Sequence, residues 1–243
     1  MASLTRDASS SGFRLAGAAP AGEATDCAVK GVIGPNAITR LQEALALMCG
    51  QGACETVFRK AGLAHCLDAP PTSMVDENDV LKLHQALLDE VGHRTALRIG
   101  AEAGRLTGVY LLGHRIPRQA QRVLALLPVR AALMVLLAAI QRHAWTFAGS
   151  GAFSYSLTPE PCLVLEDCPL LSPERPERAE IAAVYFAATF ETVFGTIVGP
   201  YFSHMRSERT PQSQAAFVFR FSCDPSPFAH REMKGSTYLT IGG

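Results

Sequence analysis

The chain has 243 residues and a mass of 26.0 kDa, enough for one large domain or two small ones and enough to bury a real core. Its 22 basic residues cancel its 22 acidic ones, charged residues are only 18%, apolar residues 48%, and mean hydropathy is +0.15. These values exclude a disordered polyelectrolyte, and they supply no basic excess for binding nucleic acid.

Residues 1–30 are rich in Ala, Ser and Gly. Arg6 is not followed by an apolar run, so this stretch reads as a disordered tail rather than a secretory signal. Gly34-Pro35-Asn36 then signals a helix start, Ile38, Leu41, Leu45 and Met48 recur at helical spacing, and Gly50 and Gly52 end the run. A short helix is expected over about 54–61 and a loop over 68–72. Val80, Leu83, Leu87 and Val91 mark an amphipathic helix from about Asp76, and another runs over about 94–113. Pro117 opens a shorter helix that ends before Pro128.

Residues 129–143 are apolar almost all round, which predicts a central helix covered on every side. The greasiest stretch, 123–140, is interrupted by Pro128 and Arg130 and falls short of the ~20 apolar residues that span a bilayer, so no transmembrane segment is expected. At Trp145 the period changes to two. Trp145 and Phe147, then Phe153, Tyr155 and Leu157, alternate with smaller residues around Gly149-Ser150-Gly151, as in two strands joined by a glycine-rich hairpin turn. Leu163-Val164-Leu165 reads as a third strand, 177–198 as a long helix, and Phe217, Phe219 and Phe221 as alternate positions of a last strand. The expected fold class is α+β, with a helical layer packed on a small antiparallel sheet. The expected organisation is a tail over 1–30, one ligand-binding domain over 31–223 and a weakly structured tail over 224–243.

Cys27, Cys49, Cys54, Cys66, Cys162, Cys168 and Cys223 are odd in number and contain no Cys-x-x-Cys, which points to reduced thiols in the cytosol. Cys162 and Cys168 read as packing residues, with a metal pair as the alternative. The segment from Gly149 to Ser154 approaches the dinucleotide pattern G-x-G-x-x-G/A. However, it runs into alternating residues and Pro159 instead of the helix that a pyrophosphate requires. No other nucleotide, metalloprotease or iron–sulfur motif is present, so no cofactor and no catalytic residue is assigned.

Several residues are candidates for a binding site, each with a plainer reading beside it. Gly100, Gly104 and Gly108 form a stripe at spacing four that lets either a neighbouring helix or a planar ligand approach the backbone. His84 lies in an apolar face, as a core histidine or as a nitrogen ligand to a bound metal complex. Tyr110, His114 and Arg115, and likewise Arg142, His143 and Trp145, put cations at helix ends beside aromatic surface. The helix dipole favours this, and it also suits an apolar ligand carrying carboxylates. Phe147 adds to that aromatic surface, and Glu191 is a lone carboxylate in an otherwise apolar helix.

Four segments together resemble the BchJ family, the bacteriochlorophyll 4-vinyl reductase-like proteins built on the 4-vinyl reductase domain. They are Ile33-Gly34-Pro35-Asn36-Ala37-Ile38, Gly113-His114-Arg115-Ile116-Pro117, the string from His143 through Trp145 and Phe147 to Gly151, and Tyr185-Phe186-Ala187-Ala188-Thr189-Phe190-Glu191. The resemblance covers about residues 31–222. It implies a fold similar to that superfamily and to Bet-type subunits of trafficking complexes, an apolar cavity, and a place in bacteriochlorophyll and chlorophyll biosynthesis for photosynthesis. It differs in one respect. Where many such domains carry a metal-holding cysteine cluster, residues 203–221 have no cysteine and offer His204, Arg206 and Phe217.

The family name implies reduction of a vinyl group, but the sequence supplies no motif for a hydride or electron source. The preferred expectation is a carrier that binds a Mg-porphyrin or chlorophyllide-type tetrapyrrole as ligand and passes it between pathway enzymes. The alternatives are a divinyl chlorophyllide reductase and a pure interaction module. The implied partners are the tetrapyrrole and the pathway enzymes, with a homodimer by analogy. The expected location is the cytoplasm, or the periphery of the photosynthetic membrane.

Overall fold

A computed structural model describes residues 31–221 apart from positions 159, 203, 211 and 212. The expectations for both tails, and for Cys27 and Cys223, lie outside the described residues. The chain begins with a two-residue strand, β1 (Val32–Ile33), which pairs antiparallel with β2 (Val75–Asp76). Between them lie α1 (Asn36–Cys49), α2 (Gln51–Lys60) and the single turn α3 (His65–Asp68). Ile38, Leu41 and Leu45 are the buried stripe of α1, and Gly50, at φ 84°, takes the positive φ that turns the chain directly into α2.

The helix α4 (Glu77–Val91) starts where the Asp76 carboxylate accepts the Asn78 N–H at 2.8 Å. Four helices follow in the order α5 (His93–His114), α6 (Arg118–Leu126), α7 (Val129–Arg142) and, after the first two long strands, α8 (Pro176–Ile197). By length and composition α8 is long and apolar enough to cross a membrane, yet most of it is buried inside the fold. Its Phe186, Phe190 and Phe194, four residues apart, form an aromatic ladder that meets Phe147, Phe153 and Phe219.

The sheet contains β3 (Ala152–Ser156), β4 (Cys162–Glu166), β5 (Met205–Thr210) and β6 (Ser213–Phe221) in the order β3-β4-β6-β5, every pair antiparallel. This is an α+β fold, with α8 laid on the sheet and α5 laid on α8.

Two expectations are corrected, and one strand was not among those expected. Trp145 and Phe147 do not form a strand. Ala144–Thr146 is a 3-10 turn whose Thr146 carbonyl accepts the Gly34 N–H at 2.7 Å, and the β3–β4 hairpin turns beyond Ser156 rather than at Gly149. Four alternating residues are too short a run to separate a strand from a turn that leaves Trp145 exposed and half-buries Phe147. The helix over 129–143 exists but is covered on one face only: Ala132, Leu133, Leu136 and Leu137 are buried, whereas Met134 and Val135 are exposed. Last, β5 was not anticipated, because Met-Arg-Ser-Glu-Arg-Thr is a polar edge strand without an apolar alternation.

Candidate functional site

The site is organised by α5. Its glycine stripe lies against α8 at backbone distance. A Cβ on Gly100 would stand 2.9 Å from the Ile181 carbonyl oxygen, one on Gly104 2.2 Å from that of Tyr185, and one on Gly108 2.5 Å from Thr192 Cβ. The stripe is therefore a helix-packing surface rather than an open platform for a planar ligand. Hydroxyls lock the contact: Thr107 Oγ1 donates to the Ala103 carbonyl at 2.8 Å and lies 2.9 Å from the Tyr185 hydroxyl, while Thr189 Oγ1 bonds the carbonyls of Tyr185 and Gly104. Burial pushes the Tyr185 phenol up to about 12.

Both α1 and α8 pack on α5 but hardly touch each other. A cleft of about 660 Å³ lies along α5 between them. Its apolar lining is Leu47 and Met48 from α1, Ala101 from α5 and Ala188 from α8. Its polar lining is Arg98, Glu102 and Arg105 from α5, with Glu191 and Thr192 from α8. Arg105 and Glu102 form an ion pair at 2.6 Å that holds the Glu102 carboxyl below its ordinary range. Arg98 is exposed and has no ion pair among the described residues. Glu191 Oε1 accepts the Met205 N–H at 2.6 Å. Burial raises its pKa, opposed by that bond and by His204. The cleft thus offers apolar walls, one unengaged guanidinium and one half-buried carboxylate. A second hollow of about 350 Å³ lies where α5, α8 and β5 meet.

Of the residues singled out from the sequence, Glu191 lines the larger cleft and the others fall elsewhere. Tyr110 and His114 stack at the end of α5 with ring centroids 4.7 Å apart, and the Arg40 guanidinium sits 5.0 Å over the Tyr110 ring. Arg115 is exposed beyond them, and Arg142, His143 and Trp145 are exposed at the end of α7. Phe147 packs in the aromatic core. His84 is buried in α4 and lines neither hollow; its Nδ1 has no hydrogen-bond partner, and burial, helped by Arg178, lowers its pKa to about 4. Among the described residues no three His, Cys, Asp or Glu side chains come together as a metal site. Buried Cys168 has its thiol pushed up to about 12.

Arg98 and Arg105 are site residues that the sequence alone does not single out. Their signal was present, because positions 98, 101 or 102, and 105 share a helical stripe beside the glycines, but it needed the positions of α1 and α8 to become a site. Nor does the sequence single out Glu77, a buried carboxylate that accepts the Ser150 N–H at 2.8 Å and the Ser150 hydroxyl at 2.9 Å. Gly149, at φ 63°, gives Glu77 room, since a Cβ there would stand 2.2 Å from its Oε2. The Gly149-Ser150-Gly151 segment is therefore a clasp for the start of α4.

No protein-family model matches the chain. Among curated proteins it is similar to the bacteriochlorophyll synthase 23 kDa chain of Cereibacter sphaeroides, 36% identical over 179 residues, covering 70% of this chain and 80% of that one. It is likewise similar to the bacteriochlorophyll synthase 23 kDa chain of Rhodobacter capsulatus, 34% identical over 187 residues, covering 76% and 83%. Identity at this level across four-fifths of both relatives shows that the chain belongs to the BchJ family, that of the bacteriochlorophyll synthase 23 kDa chain.

Proposed function

We propose that this protein serves bacteriochlorophyll biosynthesis by holding a Mg-tetrapyrrole intermediate in the α1–α5–α8 cleft and handing it to pathway enzymes. The names of the two relatives support the pathway. The observation that carries the ligand is Arg98, a guanidinium without a carboxylate partner among the described residues, at the rim of a cleft of about 660 Å³ with apolar walls. In this reading Arg98 pairs with a ring carboxylate. Arg105 joins it when the ligand carboxylate displaces Glu102, and Leu47, Met48, Ala101 and Ala188 cover the macrocycle. The tetrapyrrole is cargo, so the chain needs to bind and release it, not to transform it.

Titration with Mg-protoporphyrin monomethyl ester tests the proposal. The expected result is a shifted Soret band that Ala101→Phe, which fills the cleft, weakens at least tenfold. Arg98→Gln should raise Kd by about tenfold, the usual weight of a charge-assisted hydrogen bond. A Soret band unmoved by the protein, or moved equally by the Ala101→Phe protein, overturns the reading.

A further inference from the structure

The outer face of the α6–α7 hairpin combines exposed aliphatic side chains with one sign of charge. Leu124 of α6 and Ala132, Leu133, Leu136 and Leu137 of α7 turn inward. Facing out are Val123 and Leu126, three residues apart, and the adjacent pair Met134 and Val135; Leu126 is 87% exposed. Trp145, the single tryptophan of the chain, follows α7 and is 60% exposed. Five of the eight large hydrophobic residues exposed in the described structure thus fall within positions 123–145, a local concentration on α6, α7 and the turn that follows them.

Charge decides what the patch fits. From position 106 to position 159 the sequence contains five arginines and no aspartate, glutamate or lysine. The chain as a whole is neutral, so the remainder carries the opposite excess. Arg118, Arg122 and Leu126 follow one another at spacing four on the exposed side of α6, and Met134 and Arg142 lie on one stripe of α7. Arg118, Arg122 and Arg142 have no ion pair among the described residues. Aliphatic residues, an exposed tryptophan and arginines in a segment without acidic residues match the boundary of an anionic bilayer. There apolar side chains enter the acyl region, tryptophan sits at headgroup depth and arginine reaches the phosphates.

We propose that the α6–α7 hairpin is a membrane-docking face, which lies flat on an anionic lipid surface without spanning it. This inference goes beyond the cleft reading and uses none of its residues.

Flotation of the full chain with pigment-free vesicles tests it, comparing equal parts phosphatidylcholine and phosphatidylglycerol with phosphatidylcholine alone. The expected result is flotation with the anionic vesicles only, a blue shift of Trp145 emission on binding, and release by salt. Leu126→Asp combined with Met134→Asp should abolish both signals while the circular-dichroism melting curve stays that of the parent. Each of Arg118→Gln, Arg122→Gln and Arg142→Gln should lower the partition coefficient about fivefold. Absence of flotation at low salt overturns the proposal, as does equal flotation of the double variant. A self-association seen in sedimentation velocity and lost in the double variant, without vesicle binding, also overturns it and makes the patch a protein interface. Because no tetrapyrrole is in the assay, its failure leaves the cleft reading untouched, and failure of the Soret titration leaves this one untouched.

Discussion

The α5–α8 pair and the α6–α7 hairpin use similar amino acids for opposite ends. In the pair, glycines clear α5 of side chains along the stripe that faces α8, and hydroxyls beside it fill what polar valence is left. In the hairpin, aliphatic residues occur on both faces of α7, so Met134 and Val135 stay in solvent. Apolar content alone therefore says little about where a helix sits. What distinguishes the two is the size of the residues that repeat along the stripe, small where another backbone must come close and large where nothing in the fold covers them.

The comparison breaks most readily at Gly104. Gly104→Ala puts a methyl 2.2 Å from the Tyr185 carbonyl oxygen, and because that atom is backbone the helices must part. Overpacking of this kind costs about 3 kcal/mol, and chemical denaturation of the variant should show it. If Gly104→Ala unfolds like the parent, the stripe is not a close contact and the platform reading returns. A loss of similar size is expected from acid. Above pH 6.5 His84 is neutral both folded and unfolded; below it the unfolded chain takes a proton that the buried ring refuses until about pH 4. Stability should therefore fall as pH drops from 6.5 to 4, by on the order of 3 kcal/mol at 1.36 kcal/mol per unit. His84→Leu should remove that part of the slope in denaturant melts taken at both ends of the window. Glu77→Ala strands the Ser150 N–H in the clasp, at a cost of about 2 kcal/mol. Tyr185→Phe deletes one bond while Thr107 keeps the Ala103 carbonyl, at about 1 kcal/mol.

These sites also mark how far the sequence could be read. The helices α1 and α4 were legible because a 3.6-residue period coincided with Pro35 and Gly50 at the ends of α1 and with Asp76 at the start of α4. β5 was not, because its more buried positions after Met205 are Ser207 and Arg209, so its burial alternates without an apolar alternation in the sequence. The 3-10 turn at Ala144–Thr146 was hidden by four residues that alternate by chance. Glu191 was legible as a lone carboxylate, but Arg98 and Arg105 were not. Their significance lies in where α1 and α8 cross α5, and no local pattern records a crossing. The same limit applies to α7, whose periodicity fixes which residues share a face but not which face the core takes.

The smallest expected effect is the most discriminating for the hairpin. Leu126→Ser and Val135→Ser remove aliphatic surface from side chains that are already more than half in solvent. If these residues belonged to a core, each would cost the transfer energy of a buried side chain, about 1.5–3 kcal/mol. On an open face the cost should stay within about 0.5 kcal/mol, a difference that paired thermal melts resolve. A loss of core size would mean that the α6–α7 face is covered within the isolated protein, by the chain itself or by a second copy. A second copy would make the loss shrink on dilution, whereas cover by the chain itself would leave it unchanged, so a melt at two protein concentrations separates them. Near-zero loss at both concentrations leaves the exposed aliphatic residues without a folding role, and their place beside Arg118, Arg122 and Arg142 then has to be explained by what the face binds.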